Sequence, residues 1–224
     1  MTFSIAARCA ETGMFGLAVS SSSPAVAARC AFARAGVGAV ASQNITDPAL
    51  GPWILDLMAG GVGAEEAIRQ VVAGAPHIQF RQLTAIDRAG RTAVFEGART
   101  LGVHAAAQGR DAVAGGNLLA STDVPEAMVA IFEGSSGHLG DRLITAMRAG
   151  LAAGGEAGPV HSAGLLLVRE VAWPVADLRV DWQETDPIGA LAKLWQIYKP
   201  QLDDYVTRAI DPTRAPGFGV AGDP

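Results

Sequence analysis

At 224 residues the chain has room for one domain with a substantial core; half of it is apolar, 17% charged and 6% aromatic, so Ala, Val, Leu and Ile must fill that core. A net charge of -5, a pI near 5.3 and the lack of any Lys/Arg cluster leave no footprint for a nucleic-acid partner. The N-terminus has no basic region leading into an apolar one, and no run of about 18 apolar residues occurs, so a cytoplasmic protein with no membrane partner is expected. Cys9 and Cys30 sit among small apolar residues and read as buried free thiols.

In chain order, residues 2–9 and 15–21 read as two strands of a hairpin whose loop uses Gly13. Residues 24–34 fit a short helix or an extended crossover, and 36–43 a third strand. Leu50, Trp53, Ile54, Leu57 and Met58, then Ala67, Ile68, Val71 and Val72, follow helical spacing on either side of Gly60-Gly61. Residues 79–87 and 92–96 flank a second turn at 88–91, and 111–120 holds a further strand. Two helices follow at 123–134, with Asp123 as N-cap, and at 138–152. Residues 162–168 lack alternation and should be covered on both faces, whereas 176–182 alternate. A last helix starts at Asp186-Pro187 and carries Ile188, Leu191, Leu194 and Trp195 on one face. A single domain over 1–208 with an irregular tail over 209–224 is expected. Helices come in blocks rather than in βαβ alternation, which predicts an α+β fold of mainly antiparallel sheets, two of them packed together with helices outside each.

In the first hairpin, Phe3, Ile5, Ala7, Phe15, Leu17 and Val19 are assigned to an apolar face, and Thr2, Ser4, Ala6, Gly16, Ala18 and Ser20 to a small, partly polar one. A loop centred near residues 11 and 12 sets Thr2 opposite Ser20 or Ser21. A small residue after the initiator Met permits removal of that Met, and an α-amine on Thr2, with an ordinary pKa of about 7.7–8.0, would place base and nucleophile on one residue. The plainer reading of Thr2 is a β-forming residue at a strand start. Gly115-Gly116-Asn117 could surround an oxyanion with N–H donors, or form a bulge or turn. Gln43 and Asn44 end their strand where they could reach the same cleft. Asp177, Arg179 and Asp181 share a strand face, where Arg179 could bind a carboxylate or simply join an ion-pair ladder. His77, His104, His138 and His161 lack ligand spacing, so neither metal nor cofactor is indicated.

The start TFSIAAR, then AVSS, AGVGAVASQ, Gly51-Pro52, GGNLLAS, SAGLLLV and DLRVD, in this order over roughly residues 2–200, together resemble the uncharacterised Ntn-hydrolase-like family known as domain of unknown function 1028. After DLRVD, where relatives often continue with another Asp and a His-Pro, this chain has Trp182-Gln183-Glu184-Thr185. The resemblance implies a four-layer αββα sandwich of Ntn-hydrolase type and an activity on C–N bonds; it implies no particular substrate.

Two expectations follow. One is a cofactor-free amidohydrolase for a small amide, with Thr2 as nucleophile, Ser20 and Ser21 beside it, oxyanion donors near Asn117, and Gln43, Asn44, Gly116, Asp177 and Arg179 binding substrate. The other is a non-catalytic protein that uses the same cleft for a small ligand or for assembly. A homodimer is expected in either case, since Trp53, Trp173, Trp182 and Trp195 suit an interface as well as a core.

Overall fold

The computed structural model describes residues 1–222. Strands β1 (Thr2–Arg8) and β2 (Phe15–Ser21) form the expected hairpin. Its loop closes through Gly13 N–H donating to Cys9 O at 2.9 Å, with Gly13 at φ +70°, a conformation that glycine adopts without a Cβ clash. The segment 24–34 is both of its alternatives: one helical turn, α1 (Ala27–Cys30), runs straight into a short strand, β3 (Ala31–Arg34). Strand β4 (Gly38–Asn44) pairs back on β3. Helices α2 (Leu50–Ala59) and α3 (Ala64–Gly74) precede the hairpin β5 (Arg81–Asp87) and β6 (Thr92–Glu96). Next come β7 (Ala105–Gly109), β8 (Ala112–Asn117), α4 (Val124–Gly134) and α5 (Leu139–Ala152). Then β9 (Ser162–Val168), β10 (Ala176–Val180), α6 (Pro187–Tyr198) and α7 (Leu202–Ile210) complete the regular elements.

One sheet runs β10-β9-β2-β1-β8-β7 and the other β3-β4-β5-β6, with every pairing antiparallel. Three apolar layers hold the sheets and helices together. Phe3, Ile5, Met128, Phe132, Leu143 and Trp195 fill the space between the six-stranded sheet and helices α4, α5 and α6. Leu50, Ile54, Met58, Ile68, Val71 and Leu83 fill that between α2, α3 and the four-stranded sheet. Smaller residues, among them Ala6, Val19, Ala39, Ala41 and Val113, lie between the two sheets. The result is a four-layer αββα sandwich with antiparallel sheets. Each large side chain buried in its layers contributes about 1.5–3 kcal/mol of transfer free energy. The described residues include no helix long and apolar enough to cross a membrane.

Several expectations need correction. The hairpin register pairs Phe3 with Ser20, Ile5 with Ala18 and Ala6 with Leu17. Directly paired residues share a face, so odd positions of β1 go with even positions of β2. Phe3, Ile5, Ala18 and Ser20 therefore face the helices, and Thr2, Ser4 and Ala6 face the other sheet with Leu17 and Val19. Asp123 is already helical (φ -75°, ψ -14°) and makes no side-chain cap; the Nδ1 atom of His138 instead caps α5 by accepting from Gly140 N–H at 3.1 Å. Strand β7 was not expected, nor was α7, which extends regular structure beyond residue 208 and is followed by a 3-10 turn at Pro212–Arg214. The last two positions of the expected tail, 223–224, lie outside the described residues. Cys9 and Cys30 are buried free thiols. Trp195 is a core residue, whereas Trp53, Trp173 and Trp182 are exposed.

Candidate active site around Thr2

Strand β1 lies inside the six-stranded sheet between β2 and β8, so its first residue has a neighbour on each side. Thr2 is paired with Asn117 of β8, and continuing the β1–β2 register brings it opposite Ser21. The Thr2 and Ser21 hydroxyls both donate to the carbonyl oxygen of Met1. Ser21 Oγ also accepts from Ser23 N–H at 3.0 Å, which fixes its rotamer. Thr2 is only 4% exposed, whereas Met1 is 37% exposed and forms the outer edge of the cluster.

Below Thr2 a polar chain, fully buried from Ser4 to Gln82, crosses between the sheets. Ser4 Oγ donates to Gln43 Oε1 at 2.7 Å, and Gln43 Nε2 donates to Gln82 Oε1 at 2.8 Å. Gln82 Nε2 donates in turn to Glu96 Oε1 at 2.8 Å and Gly116 O at 2.9 Å. His104 Nδ1 lies 2.9 Å from the same Glu96 oxygen. Because the Gly116 carbonyl oxygen only accepts, it turns Gln82 Nε2 toward itself and so sets the polarity of each amide along the chain. Asn117 consequently donates through Nδ2 to Gln82 Oε1 at 3.2 Å. Its Oδ1 is left buried with no partner among the described residues, as is Thr84 Oγ1. The side chain of Asn117 thus presents an acceptor, the reverse of the donor expected for an oxyanion. Gly115 lets the sheets approach here, since a Cβ on it would stand 3.0 Å from Thr84 Cγ2.

On the outer side of this cluster stands Glu156, a residue that sequence reasoning missed. It is 4% exposed and bridges to Leu119, two residues beyond Asn117. Ser22 N–H donates to both its oxygens at 3.2 Å. Burial pushes its carboxyl up to about 7, against the lowering influence of the N-terminal ammonium, Ser22 and His161. Such a value suits proton transfer at neutral pH. Nothing in Gly154-Gly155-Glu156-Ala157 marks the position, because the Ser22 N–H that binds it and the chain terminus beside it are more than a hundred positions away.

The remaining expected site residues scatter. Gln43 is in the buried chain, while Asn44 joins elements, donating to Phe80 O at 2.5 Å and accepting from Leu101 N–H at 3.2 Å. Gly116 faces the helices, where a Cβ would stand 2.6 Å from the Leu119 side chain. Ser20 is on that face too, its hydroxyl donating to Ser162 O at 2.9 Å. Asp177 and Arg179 lie on β10, three strands from β1, roughly 14 Å at about 4.8 Å per strand. Arg179 Nε and Nη2 donate to the two Asp177 oxygens at 2.8 and 2.7 Å. The pair borders a separate cavity of about 300 Å³, walled by Phe32, Arg34, Pro52 and Leu55 among others.

A solved DUF1028 protein from Silicibacter pomeroyi is similar to this chain at 30% identity and a TM-score of 0.82, over 88% of this chain and 89% of that one. Anbu (ancestral beta-subunit) from Yersinia bercovieri aligns over 97% of this chain and 100% of its own at 12% identity and a TM-score of 0.39. A Gly-1 mutant of Anbu from Hyphomicrobium sp. strain MC1 aligns over 90% and 96% at 12% identity and 0.35. These two likenesses are too distant to bear on chemistry. A search of the curated proteins finds no match. The model of a family of unknown function, DUF1028, matches residues 2–191. The chain belongs to the DUF1028 family.

Proposed function

We propose that the protein is an N-terminal-nucleophile amidohydrolase acting on a small amide after loss of Met1. The observation that supports this reading most is the convergence of the Thr2 and Ser21 hydroxyls on one carbonyl oxygen, that of Met1. In the processed chain Thr2 Oγ1 attacks the substrate carbonyl and its proton passes to the α-amine of Thr2, directly or through a water. The Ser21 hydroxyl supports the oxyanion, and the amine returns the proton to the leaving nitrogen. Water then cleaves the resulting ester and restores the hydroxyl. Asn117, through the Oδ1 that has no partner among the described residues, accepts a hydrogen bond from a donor at the site.

The experiment is a screen of small amides with protein that begins at Thr2, with Thr2→Ala and Thr2→Ser as controls. Thr2→Ser should retain measurable turnover and Thr2→Ala should lose at least about a thousandfold. Turnover that survives Thr2→Ala refutes Thr2 as nucleophile.

A further inference from the structure

Met1 is attached to the nitrogen of Thr2 and sits at the site as an acyl group would. Its carbonyl oxygen accepts from both hydroxyls. Its side chain runs along Gly158, with Cε 3.8 Å and Sδ 4.0 Å from where a Cβ would stand. Ser21 binds the Met1 carbonyl and the next residue, Ser22, donates its N–H to Glu156, so Met1 and Glu156 flank one turn of chain, and the terminal ammonium favours the ionised form of Glu156 without forming an ion pair with it among the described residues.

Glu156 is a buried carboxyl that gains from a cation whenever it is ionised. Carboxylates are almost never buried unless paired, yet among the described residues Glu156 forms no ion pair with a lysine or arginine side chain. His161 and the terminal ammonium lower the Glu156 carboxyl against its burial, and the imidazole of His161 is stacked on Trp182 at 4.4 Å. A second acceptor, Asn117 Oδ1, is buried and without a partner among the described residues, on the strand residue paired with Thr2. The walls of the site thus offer a carboxylate and an amide oxygen to a donor, beside two hydroxyls that bind a carbonyl.

We propose that the place held by Met1 becomes, in the processed protein, the seat of an unblocked aminoacyl group, so that the substrate is an α-amino acid amide or a short peptide cleaved after its first residue. This rests on the amidohydrolase reading above. The substrate's carbonyl lies at the Thr2 and Ser21 hydroxyls and its α-ammonium at Glu156, with its side chain along Gly158. Thr2 Oγ1 bonds to the carbonyl carbon as the C–N bond breaks; the leaving amine takes the proton that the hydroxyl released. Water cleaves the ester, yielding a free amino acid and the restored Thr2 hydroxyl. Glu156 recognises the ammonium and does not touch the reacting bond.

The test uses protein released from a leader so that it begins at Thr2. L-methioninamide and N-acetyl-L-methioninamide are titrated by calorimetry, and the matching p-nitroanilides are assayed for turnover. The unblocked amide should bind at least about tenfold more tightly than the acetylated one, as expected for a desolvated charge pair. Glu156→Gln should abolish that preference, and Glu156→Asp should keep part of it. Equal binding of the two amides, or failure of both to bind, overturns the proposal. If the unblocked amide binds and no anilide is cleaved, the seat stands and the amidohydrolase reading fails. If both anilides are cleaved equally, the hydrolase stands and the seat is overturned. Should Glu156→Gln fail to fold, the comparison of the two amides on the unmodified protein still decides.

Discussion

Replacing Glu156 by glutamine removes a charge from a buried position while keeping an oxygen to accept the Ser22 N–H. Burial raises the carboxyl from its ordinary 4.5 to about 7 in the folded protein. The native state therefore holds a proton that the unfolded chain gives up, and stability falls as pH rises from 4.5 through 7, then stays level. At ~1.36 kcal/mol per pKa unit the gap corresponds to about 3 kcal/mol. Glutamine cannot ionise and escapes that loss. Glu156→Gln should match the parent near pH 4.5 and exceed it by about 3 kcal/mol at pH 8.5, or roughly 6–12 °C in Tm for a chain of this size. Urea denaturation of both proteins across this range measures the difference directly. A difference that stays constant with pH, or a parent that gains on the variant as pH rises, would refute the placement of Glu156 in a desolvated site.

Gln82→Leu should destabilise the fold by about 3 kcal/mol or more, because it strips partners from Gln43, Asn117, Glu96 and Gly116 O at once; denaturant midpoints read the loss. Ser21→Ala should lower kcat by about a hundredfold as an oxyanion donor is lost. Ser20→Ala should leave kcat unchanged and cost about 1 kcal/mol of stability through its bond to Ser162 O. Arg179→Ala should change stability by under about 0.5 kcal/mol and leave turnover intact, since its partner is the exposed Asp177 on the far strand; a kinetic defect there would mean that the separate cavity takes part.

What could be read from the sequence was what is local. The β1–β2 hairpin carries its own turn glycine and alternation, and β9 its unbroken apolar run, so both are found in place. Face assignment failed in the hairpin because side-chain sides depend on the parity of the register, which no single strand displays. Strand β7 was invisible because Ala105-Ala106-Ala107 neither alternate nor favour extension. The α7 signal was present, since Leu202 and Val206 are spaced by one turn and both are buried. At the site, the loop centre sets Thr2 opposite Ser20 or Ser21, and only the register selects Ser21. The Ser4-Gln43-Gln82-Asn117 chain joins residues 35 to 39 apart and has no local pattern. Glu156 was hidden for the same reason, because sheet order, not sequence, brings its loop to the chain terminus.

The central claim is that Thr2 works as a free N-terminal nucleophile, and the intact mass of protein made in a cytoplasm with full processing capacity tests it most directly. The account predicts a mass lower than the full sequence by one methionine residue, with N-terminal sequencing beginning at Thr2. Quantitative retention of Met1, which leaves the nitrogen of Thr2 acylated and both hydroxyls engaged on its carbonyl, would contradict it.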